Sequence, residues 1–468
     1  MFFEILYFLI LASSVTLVIL ENRNPKNAML WVMLLTLLPG VGLVVYLLVG
    51  KNFKFSRTIK ADKLAQLEQL RDTTNQSAEL SALESPRYAK LTKMMDTANH
   101  TPLYAGNEVS IFTSFSSMFD TMMADIAQAE SFIHLQFYKI ENDEVGKALS
   151  DMLIAKAQSG VEVRLIYDAL ANWQVSRRYY RAMKEGGVKV EPFLKVVPSV
   201  ISRDVNCRTH RKIVVVDGRV GYTGGMNIAR RYRDGIDGGI WRDTQIRIVG
   251  PAVSQLQLVL LADWYFCTKR LEAGPNHFPP VSPAGNALCQ VVASSPMDEW
   301  NTIMQGMVQA IAQSTKYCYI QTPYFMPTEP LLLALRNAAL AGVDVRIMMP
   351  AKPDRGRIML FASRSFFKET MVAGVKIYLY NKGFLHAKTL VCDDDFVTIG
   401  STNIDSRSLE QNFEANVFVY SSDTAKTQRD IFLADQADCT QVDPVQWPHR
   451  PFGGRVLESV ARLLTPLL

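Results

Sequence analysis

One 18-residue pattern occurs twice in this chain, and it constrains the fold more than any other feature. The first copy, HRKIVVVDGRVGYTGGMN, runs from His210 to Asn227, and the second, HAKTLVCDDDFVTIGSTN, runs from His386 to Asn403. Each copy keeps a His, a Lys two residues later, an Asp five residues after the Lys and an Asn ten residues after the Asp. Two copies in the same register predict two structurally equivalent units.

Both copies place polar residues at the start of a predicted strand. The β-branched runs Ile213–Val216 and Thr389–Val391 predict buried strands that end in Asp-containing turns. Strand periodicity directs each His and its Lys to one face, whereas Asp217 and Asp393 face the opposite way and are interpreted as holding the turns. An imidazole attacks phosphorus or transfers a proton, and a neighbouring ammonium neutralises phosphate oxygens. Two ordinary strands are disfavoured, because two of only six His occupy matching positions.

The pattern HxKxxxxD followed by G-(G/S)-x-N resembles the signature of the phospholipase D superfamily, whose members carry two copies that meet to form one site. The resemblance implies six catalytic residues, which are His210, Lys212, Asp217, His386, Lys388 and Asp393. It also implies that Asn227 and Asn403 surround the phosphate oxygens. A carboxylate on Nδ1 fixes the tautomer of a catalytic His, and the resemblance gives this role to Asp243 and Glu414.

The repeat extends beyond the signatures and predicts an α/β fold. Phe132–Gln136 matches Tyr317–Gln321 as a first strand, and two further pairs of strands follow with helical segments between them. We therefore expect two α/β units with mixed sheets, related by a pseudo-twofold axis. The first half is placed at residues 108–285 with its signature at 205–232, and the second at residues 286–440 with its signature at 381–408.

The first 50 residues predict a two-helix transmembrane hairpin. Apolar segments at about 2–20 and 28–49 are long enough to cross a bilayer, and ENRNPKN between them allows only a turn. The basic residues that follow, Lys51, Lys54, Arg57 and Lys60, place the catalytic body in the cytoplasm. A cleaved signal peptide is disfavoured, because a second apolar segment follows at once. Pro39-Gly40 predicts either a kink or a re-entrant helix.

Three other segments carry weaker signals. Residues 51–107 predict a juxtamembrane connector without catalytic residues, and residues 441–468 predict an amphipathic C-terminal tail. The tail places Val456, Leu457, Val460, Leu463 and Leu464 on one helical face. Packing on the body or contact with a membrane would explain this face. The same two explanations apply to the apolar loop at residues 193–201 of the first half.

Composition narrows the class of function. The six Cys are scattered and no His-rich cluster occurs, so the sequence indicates neither a disulfide framework nor a metal site. We therefore expect no metal and no cofactor. A net charge of +5 is too small by itself to predict nucleic-acid binding, and we expect none.

Several segments resemble the bacterial cardiolipin synthases, namely the apolar hairpin, QTPYF at 321–325, ASRSFF at 362–367 and the closing Arg450-Pro451. The resemblance implies transfer of a phosphatidyl group from one phosphatidylglycerol to another, which gives cardiolipin and glycerol through a phosphohistidine. It favours His210 as the nucleophile. It also implies a multi-pass protein of the bacterial inner membrane whose partners are phosphatidylglycerol and membrane lipids.

Three alternatives remain open at this level. A membrane-bound phospholipase D hydrolase, or a transferase with another acceptor alcohol, would use the same signatures. A nuclease is disfavoured by the apolar hairpin and the modest net charge. A non-catalytic lipid-binding scaffold is disfavoured because both signatures are complete. The sequence does not specify the acceptor lipid or the oligomeric state.

Overall fold

The computed structural model describes residues 2–20, 25–46, 59–74, 82–194, 207–354 and 356–465. An N-terminal helical hairpin comes first, formed by α1 Phe2–Leu20, α2 Pro25–Leu37 and α3 Pro39–Val45. Val18, Leu35 and Tyr46 are buried where these helices pack. The helix breaks at Leu38, whose φ of −136° is not helical, as expected just before a proline.

The hairpin is thus present, with a break in the second predicted span. Within the described ranges, no helix is both long and apolar enough to cross a membrane, so the predicted spans are not confirmed. Residues 47–49 of the second span and the basic residues Lys51, Lys54 and Arg57 lie outside the described residues.

The connector packs against the α/β body. It contains α4 Ala61–Thr74, a 3₁₀ turn at Pro86–Tyr88 and α5 Ala89–Asn99. Leu67 of α4 is buried in a small cluster with Leu258 and Phe278. The strand that opens the first half begins at Tyr104, before the predicted boundary at residue 108.

The first half contains eight strands and five helices within the described residues. The strands are β1 Tyr104–Phe112, β2 Phe132–Phe137, β3 Glu162–Asp168, β4 Lys189–Phe193, β5 Ile213–Val216, β6 Val220–Gly224, β7 Ile240–Arg242 and β8 Gln245–Val249. The helices are α6 Phe115–Ala127, α7 Glu144–Gln158, α8 Arg177–Glu185, α9 Arg230–Asp234 and α10 Val253–Thr268. Asp143 begins α7 because its carboxylate accepts the free N–H groups of Val145 and Gly146.

The second half and the tail follow the same plan. The strands are β9 Ala287–Ser294, β10 Tyr317–Gln321, β11 Phe325–Met326, β12 Asp344–Pro350, β13 Lys376–Tyr380, β14 Gly383–Leu385, β15 Thr389–Cys392, β16 Phe396–Gly400, β17 Ile404–Asp405, β18 Glu414–Tyr420 and β19 Cys439–Gln441. The helices are α11 Thr302–Gln313, α12 Glu329–Leu340, α13 Ile358–Arg364, α14 Phe367–Met371, α15 Ser406–Glu410, α16 Ser422–Gln436 and α17 Phe452–Leu463.

One mixed sheet of 15 strands runs through both halves, in the order β19-β13-β12-β10-β15-β16-β18-β9-β1-β8-β6-β5-β2-β3-β4. The antiparallel pair β9 and β1 joins the two halves. Counted outward from this pair, the strands of the two halves correspond one to one. The order is β18, β16, β15, β10, β12, β13 in the second half and β8, β6, β5, β2, β3, β4 in the first. The outer strands β2-β3-β4 and β10-β12-β13 are parallel, and the inner ones are antiparallel. This order confirms the predicted α/β fold with two equivalent units and a mixed sheet.

The signature strands begin at the predicted β-branched runs, but they exclude the His and Lys that the sequence places at the start of each strand. The ladder of β5 begins at Ile213 and that of β15 at Thr389, so the His and Lys of each signature precede the strand. The physical reason is that the N–H of each His bonds to the other half instead of to a neighbouring strand of its own sheet. In the long first-half loop, Phe193 and Leu194 are buried, and residues 195–206 lie outside the described residues.

Candidate active site

Short backbone pairings between the two halves position both signature His. Thr209, just before His210, pairs with Phe413 of the second half, and the His210 N–H donates to the Phe413 carbonyl at 2.8 Å. In the equivalent contact β14 pairs with β7, and the His386 N–H donates to the Arg242 carbonyl at 2.7 Å. Each pairing brings a His next to the acidic residue that follows the paired carbonyl in the opposite half.

The acidic partners are therefore exchanged between the halves. His210 Nδ1 lies 3.0 and 3.1 Å from the two carboxylate oxygens of Glu414, and His386 Nδ1 lies 2.7 Å from Asp243 Oδ2. A carboxylate only accepts, so each Nδ1 carries the proton and each Nε2 keeps its lone pair. The structure brings both predicted acids to the two imidazoles, although their spacing in the sequence did not specify which acid meets which His.

The two signature lysines are buried beside the imidazoles. The ammonium of Lys212 donates to the His210 carbonyl at 2.6 Å, and that of Lys388 donates to the His386 carbonyl. Burial lowers the pKa of Lys212 to about 7 and that of Lys388 to about 8, and the carboxylates of Asp243 and Glu414 oppose this shift. Two cations held out of water create a place that favours an anion.

Burial also controls the titration of the imidazoles and their acids. It lowers the pKa of His386 to about 3, with Lys388 acting in the same direction and Asp243 opposing. Burial lowers the pKa of His210 too, against the attraction of Glu414. For Glu414 burial acts to raise the pKa, but His210 and the neighbouring lysine hold it below its ordinary value. The free site therefore contains ionised acids beside neutral imidazoles.

The two signature asparagines are both buried but differ in their contacts. Asn227 accepts the Lys139 N–H at 3.0 Å and donates to the Tyr232 hydroxyl at 2.5 Å. The side-chain oxygen of Asn403 has no hydrogen-bond partner among the described residues. Phosphate binding by these two amides stays a prediction.

Asp217 and Asp393 lie away from the imidazoles and hold turns, as their strand position predicts, so this geometry does not support the catalytic role that the resemblance implies. Each follows the strand whose start carries the signature His, and each has a positive φ, 49° and 54°. The Asp217 carboxylate accepts the N–H groups of residues 130–132 at 2.8 Å, and the Asp393 carboxylate accepts those of residues 315–317 at 2.6 to 2.8 Å. These carboxylates join a turn to the start of β2 or β10, which is a structural role.

Several site residues were not predicted. The Ser401 hydroxyl donates to the Glu414 carboxylate, and Gly225 occupies the same signature position in the first half. Aligning the two signatures would have singled out this difference. The rings of Trp241 and Tyr232 lie 5.2 and 6.1 Å from that of His386, and nothing in their spacing indicated this contact.

Among the described residues, one group has metal-ligand character, namely His134, Glu162 and His277. It lies toward the start of β2 and β3, whereas the other end of β2 leads to Tyr138, whose ring is 5.1 Å from that of His210. Arg164 already donates to the Glu162 carboxylate. The group is separate from the catalytic imidazoles, and an ion pair neutralises its one carboxylate.

Two equivalent halves that each supply a His to one junction define the class of protein as the phospholipase D superfamily. A solved phosphatidylserine synthase from Haemophilus influenzae Rd KW20 shares the fold, with a TM-score of 0.63 and 14% identity over 81% of this chain and 100% of that one. A family model described as cardiolipin synthase, PLD-like domain, matches residues 122–236 and 307–436, and a phospholipase D-nuclease N-terminal model matches residues 5–51.

Curated relatives specify the family further. The chain is 38% identical to a cardiolipin synthase from Geobacillus sp. strain WCH70, over 96% of this chain and 90% of the relative. It is 35% identical to the major cardiolipin synthase ClsA of Bacillus subtilis strain 168, over 97% of this chain and 96% of the relative. The chain belongs to the cardiolipin synthase family and is a phospholipase D-type phosphatidyltransferase.

Proposed function

We propose that this enzyme transfers a phosphatidyl group from one phosphatidylglycerol to a second, forming cardiolipin and releasing glycerol. The observation that carries the proposal is the exchanged pairing of His210 with Glu414 and of His386 with Asp243, which makes one site from two halves. Family membership supports the choice of lipid, because the relatives are cardiolipin synthases over nearly their whole length.

The first step uses both imidazoles. Nε2 of His210 attacks phosphorus, and the bond from phosphorus to the glycerol oxygen breaks. His386, protonated on Nε2, gives its proton to the departing oxygen, so that free glycerol and a phosphohistidine result. Asp243 stabilises the imidazolium of His386 before the transfer.

The second step reverses these roles. The hydroxyl of the incoming phosphatidylglycerol gives its proton to Nε2 of His386, and its oxygen attacks phosphorus. The bond from phosphorus to His210 breaks, and cardiolipin leaves. Lys212, Lys388, Asn227 and Asn403 surround the phosphate oxygens in both steps, where the buried ammonium groups offset the negative charge.

We also propose that residues 1–50 hold the enzyme in the bacterial inner membrane as a hairpin, with the catalytic body in the cytoplasm. The match of residues 5–51 to a phospholipase D-nuclease N-terminal family model and the packing of α1 on α2 support this. A reporter fused after Lys60 should be cytoplasmic, and one inserted between Glu21 and Asn27 should be external. The reverse pattern would overturn the proposed topology.

One experiment separates transfer from hydrolysis. Purified enzyme given only phosphatidylglycerol in vesicles should form cardiolipin and glycerol in equal amounts. Early accumulation of phosphatidic acid would instead show a phospholipase, because water would then be the acceptor. The same assay after EDTA treatment should show unchanged turnover, since Lys212 and Lys388 already supply cations at the phosphate. Activity restored only by a divalent ion would contradict that expectation.

A further inference from the structure

The C-terminal helix α17 turns its apolar side chains away from the protein. Phe452, Val456, Val460 and Leu463 recur at helical spacing and are 73%, 41%, 51% and 79% exposed. The residues that pack inward on α13 are small or polar, with Glu458 and Ala461 buried. The sequence left two explanations for the apolar face, and within the described residues the body of the protein does not cover it.

Ion pairs fix α17 in this rotation. Arg450 donates to both carboxylate oxygens of Glu458, at 2.6 and 2.8 Å, and Glu458 is only 5% exposed. Arg462 donates to Glu369 of α14 and to the Ser365 carbonyl at 3.2 Å. Turning the apolar face inward would break both ion pairs and the hydrogen bond from Arg462 to Ser365, so these contacts favour the observed rotation. The outward apolar face is therefore a fixed feature of the fold.

The exposed surface of α17 also has a net positive charge. Glu458 is its one acidic residue, and Arg450 neutralises it. Arg455 is exposed beside the apolar face, with its guanidinium 5.9 Å from the ring centre of Phe452. Apolar side chains flanked by arginine match a bilayer surface with anionic headgroups. A second copy of the helix would bring the same cations rather than complementary charges.

The residue Thr465, just after α17, contacts the segment that follows the second signature. The Ser406 hydroxyl donates to the Thr465 carbonyl at 3.0 Å. Ser406 directly follows β17, which begins one residue after Asn403 of the second signature. A surface that contacts α17 along its apolar face would therefore also lie near the segment that follows the second signature.

We propose that α17 lies on the surface of an anionic bilayer, with Val460 and Leu463 among the lipid acyl chains, and holds the active site near its lipid substrate. The proposal rests on the proposed function only for the identity of that substrate. Contact with lipid is a property of the helix itself and is measured without turnover.

Photocrosslinking of the full-length enzyme tests the contact. The enzyme is placed in vesicles of phosphatidylglycerol and phosphatidylcholine that contain a phospholipid with a diazirine on its acyl chain, and adducts are mapped by mass spectrometry. We expect adducts on the peptide that spans residues 452–464. Adducts elsewhere but none on this peptide would overturn the proposal.

A matched pair of double variants tests the function of the contact. Val460→Ser with Leu463→Ser removes two exposed apolar side chains from α17. Leu340→Ser with Val372→Ser removes the same two residue types, 71% and 80% exposed, near the sheet edge where β12 and β13 begin. The first variant should lose at least about fivefold in adduct yield at residues 452–464 and raise KM for phosphatidylglycerol by a similar factor, with kcat unchanged.

The control variant should change neither quantity. If the α17 variant keeps both the adduct yield and the KM of wild type, the proposal is wrong. If it loses the adducts but keeps the KM, α17 contacts the membrane without positioning the active site. If wild-type enzyme gives the expected adducts but makes no cardiolipin, then the proposed function fails and the membrane contact of α17 stands.

Discussion

The two halves hold their imidazoles by the same backbone pairing but support the acids with different side chains. Glu414, the partner of His210, accepts a hydrogen bond from the Ser401 hydroxyl. Asp243, the partner of His386, accepts the Thr244 N–H at 2.8 Å, and a Cβ placed on Gly225 would lie 2.0 Å from its Oδ1. The longer acid therefore occurs with a serine and the shorter one with a glycine. The acid and the residue that contacts it therefore differ together between the two halves.

The surroundings of the two rings differ as well. Trp241 and Phe384 pack 5.2 and 5.9 Å from His386, between ring centres, and Tyr138 lies 5.1 Å from His210. Because burial lowers the pKa of both imidazoles, neither ring is charged in the free enzyme near neutral pH. The negative phosphodiester must raise the proton affinity of whichever His protonates the leaving glycerol. Equal signatures thus do not imply equal roles.

The largest expected effect comes from removing either imidazole. His210→Ala and His386→Ala should each reduce cardiolipin formation by at least about a thousandfold, because the proposed mechanism uses one His as the nucleophile and the other as the acid. The measurement is kcat with phosphatidylglycerol in vesicles, with membrane extraction and thermal unfolding as controls for folding. Substantial activity in either single variant would contradict a shared site.

A substrate with a good leaving group separates the two roles. The p-nitrophenyl ester of phosphatidic acid releases its phenolate without a proton donor. His386→Ala should therefore still release a burst of up to one equivalent of p-nitrophenol and retain a phosphorylated His210, whereas His210→Ala should give no burst. A burst from His210→Ala alone would reverse the assignment of the nucleophile.

The next effect concerns the paired supports. Gly225→Ala should lower kcat about a hundredfold, because the new methyl group displaces the buried Asp243 carboxylate from His386. Ser401→Ala removes one hydrogen bond to Glu414 but leaves its contact with His210, so about a tenfold loss is expected. Steady-state kinetics on both variants compares the halves. Equal losses would show that the two supports are equivalent after all.

The pH dependence should reveal the lysines. A lysine is charged below its pKa, so the free site loses cations as the pH rises through about 7 at Lys212 and about 8 at Lys388. We expect kcat/KM, which reports the free enzyme, to fall across this range, and kcat to fall less because bound phosphate keeps both ammonium groups protonated. A kcat/KM that stays constant up to about pH 9 would contradict the lowered pKa values of Lys212 and Lys388.

Much of this fold could be predicted because the repeat consists of short segments whose local sequence indicates a strand or a helix. The segments matched between the halves became β2 and β10, and the apolar runs of the signatures became β5 and β15. These strands are buried on both faces, so they appear in the sequence as continuous β-branched segments. The chemistry of a catalytic His predicts a carboxylate partner, and the family resemblance assigned that role to Asp243 and Glu414.

Contacts between the halves could not be predicted in the same way. The exchange of acids depends on Thr209 pairing with Phe413 and on β7 pairing with β14, which are separated by long stretches of chain. The hydrophobic periodicity of the sequence does not indicate pairings between such distant segments. The orientation of α17 was unpredictable for a related reason, since it depends on contacts with other segments, namely those of Arg450 with Glu458 and of Arg462 with Glu369.

The smallest effect on catalysis is expected at the turn acids. Asp217 and Asp393 each bind three backbone N–H groups, but Asp393 also pairs with Arg87 of the connector at 2.7 Å. Asp393→Asn should therefore cost about 3 kcal/mol of unfolding free energy and Asp217→Asn about 1 kcal/mol, with kcat of the folded enzyme within about twofold of wild type.

Thermal unfolding and kcat measured on the same preparations test both parts of this prediction. Arg87→Gln removes the extra partner of Asp393 and should reduce the further cost of Asp393→Asn toward that of Asp217→Asn in a double-mutant cycle. If either Asp variant unfolds like wild type but loses about a hundredfold in kcat, the carboxylate acts in the chemistry. Such a result would mean that the turn moves toward the imidazoles when lipid binds, and that the two ends of each signature strand work together.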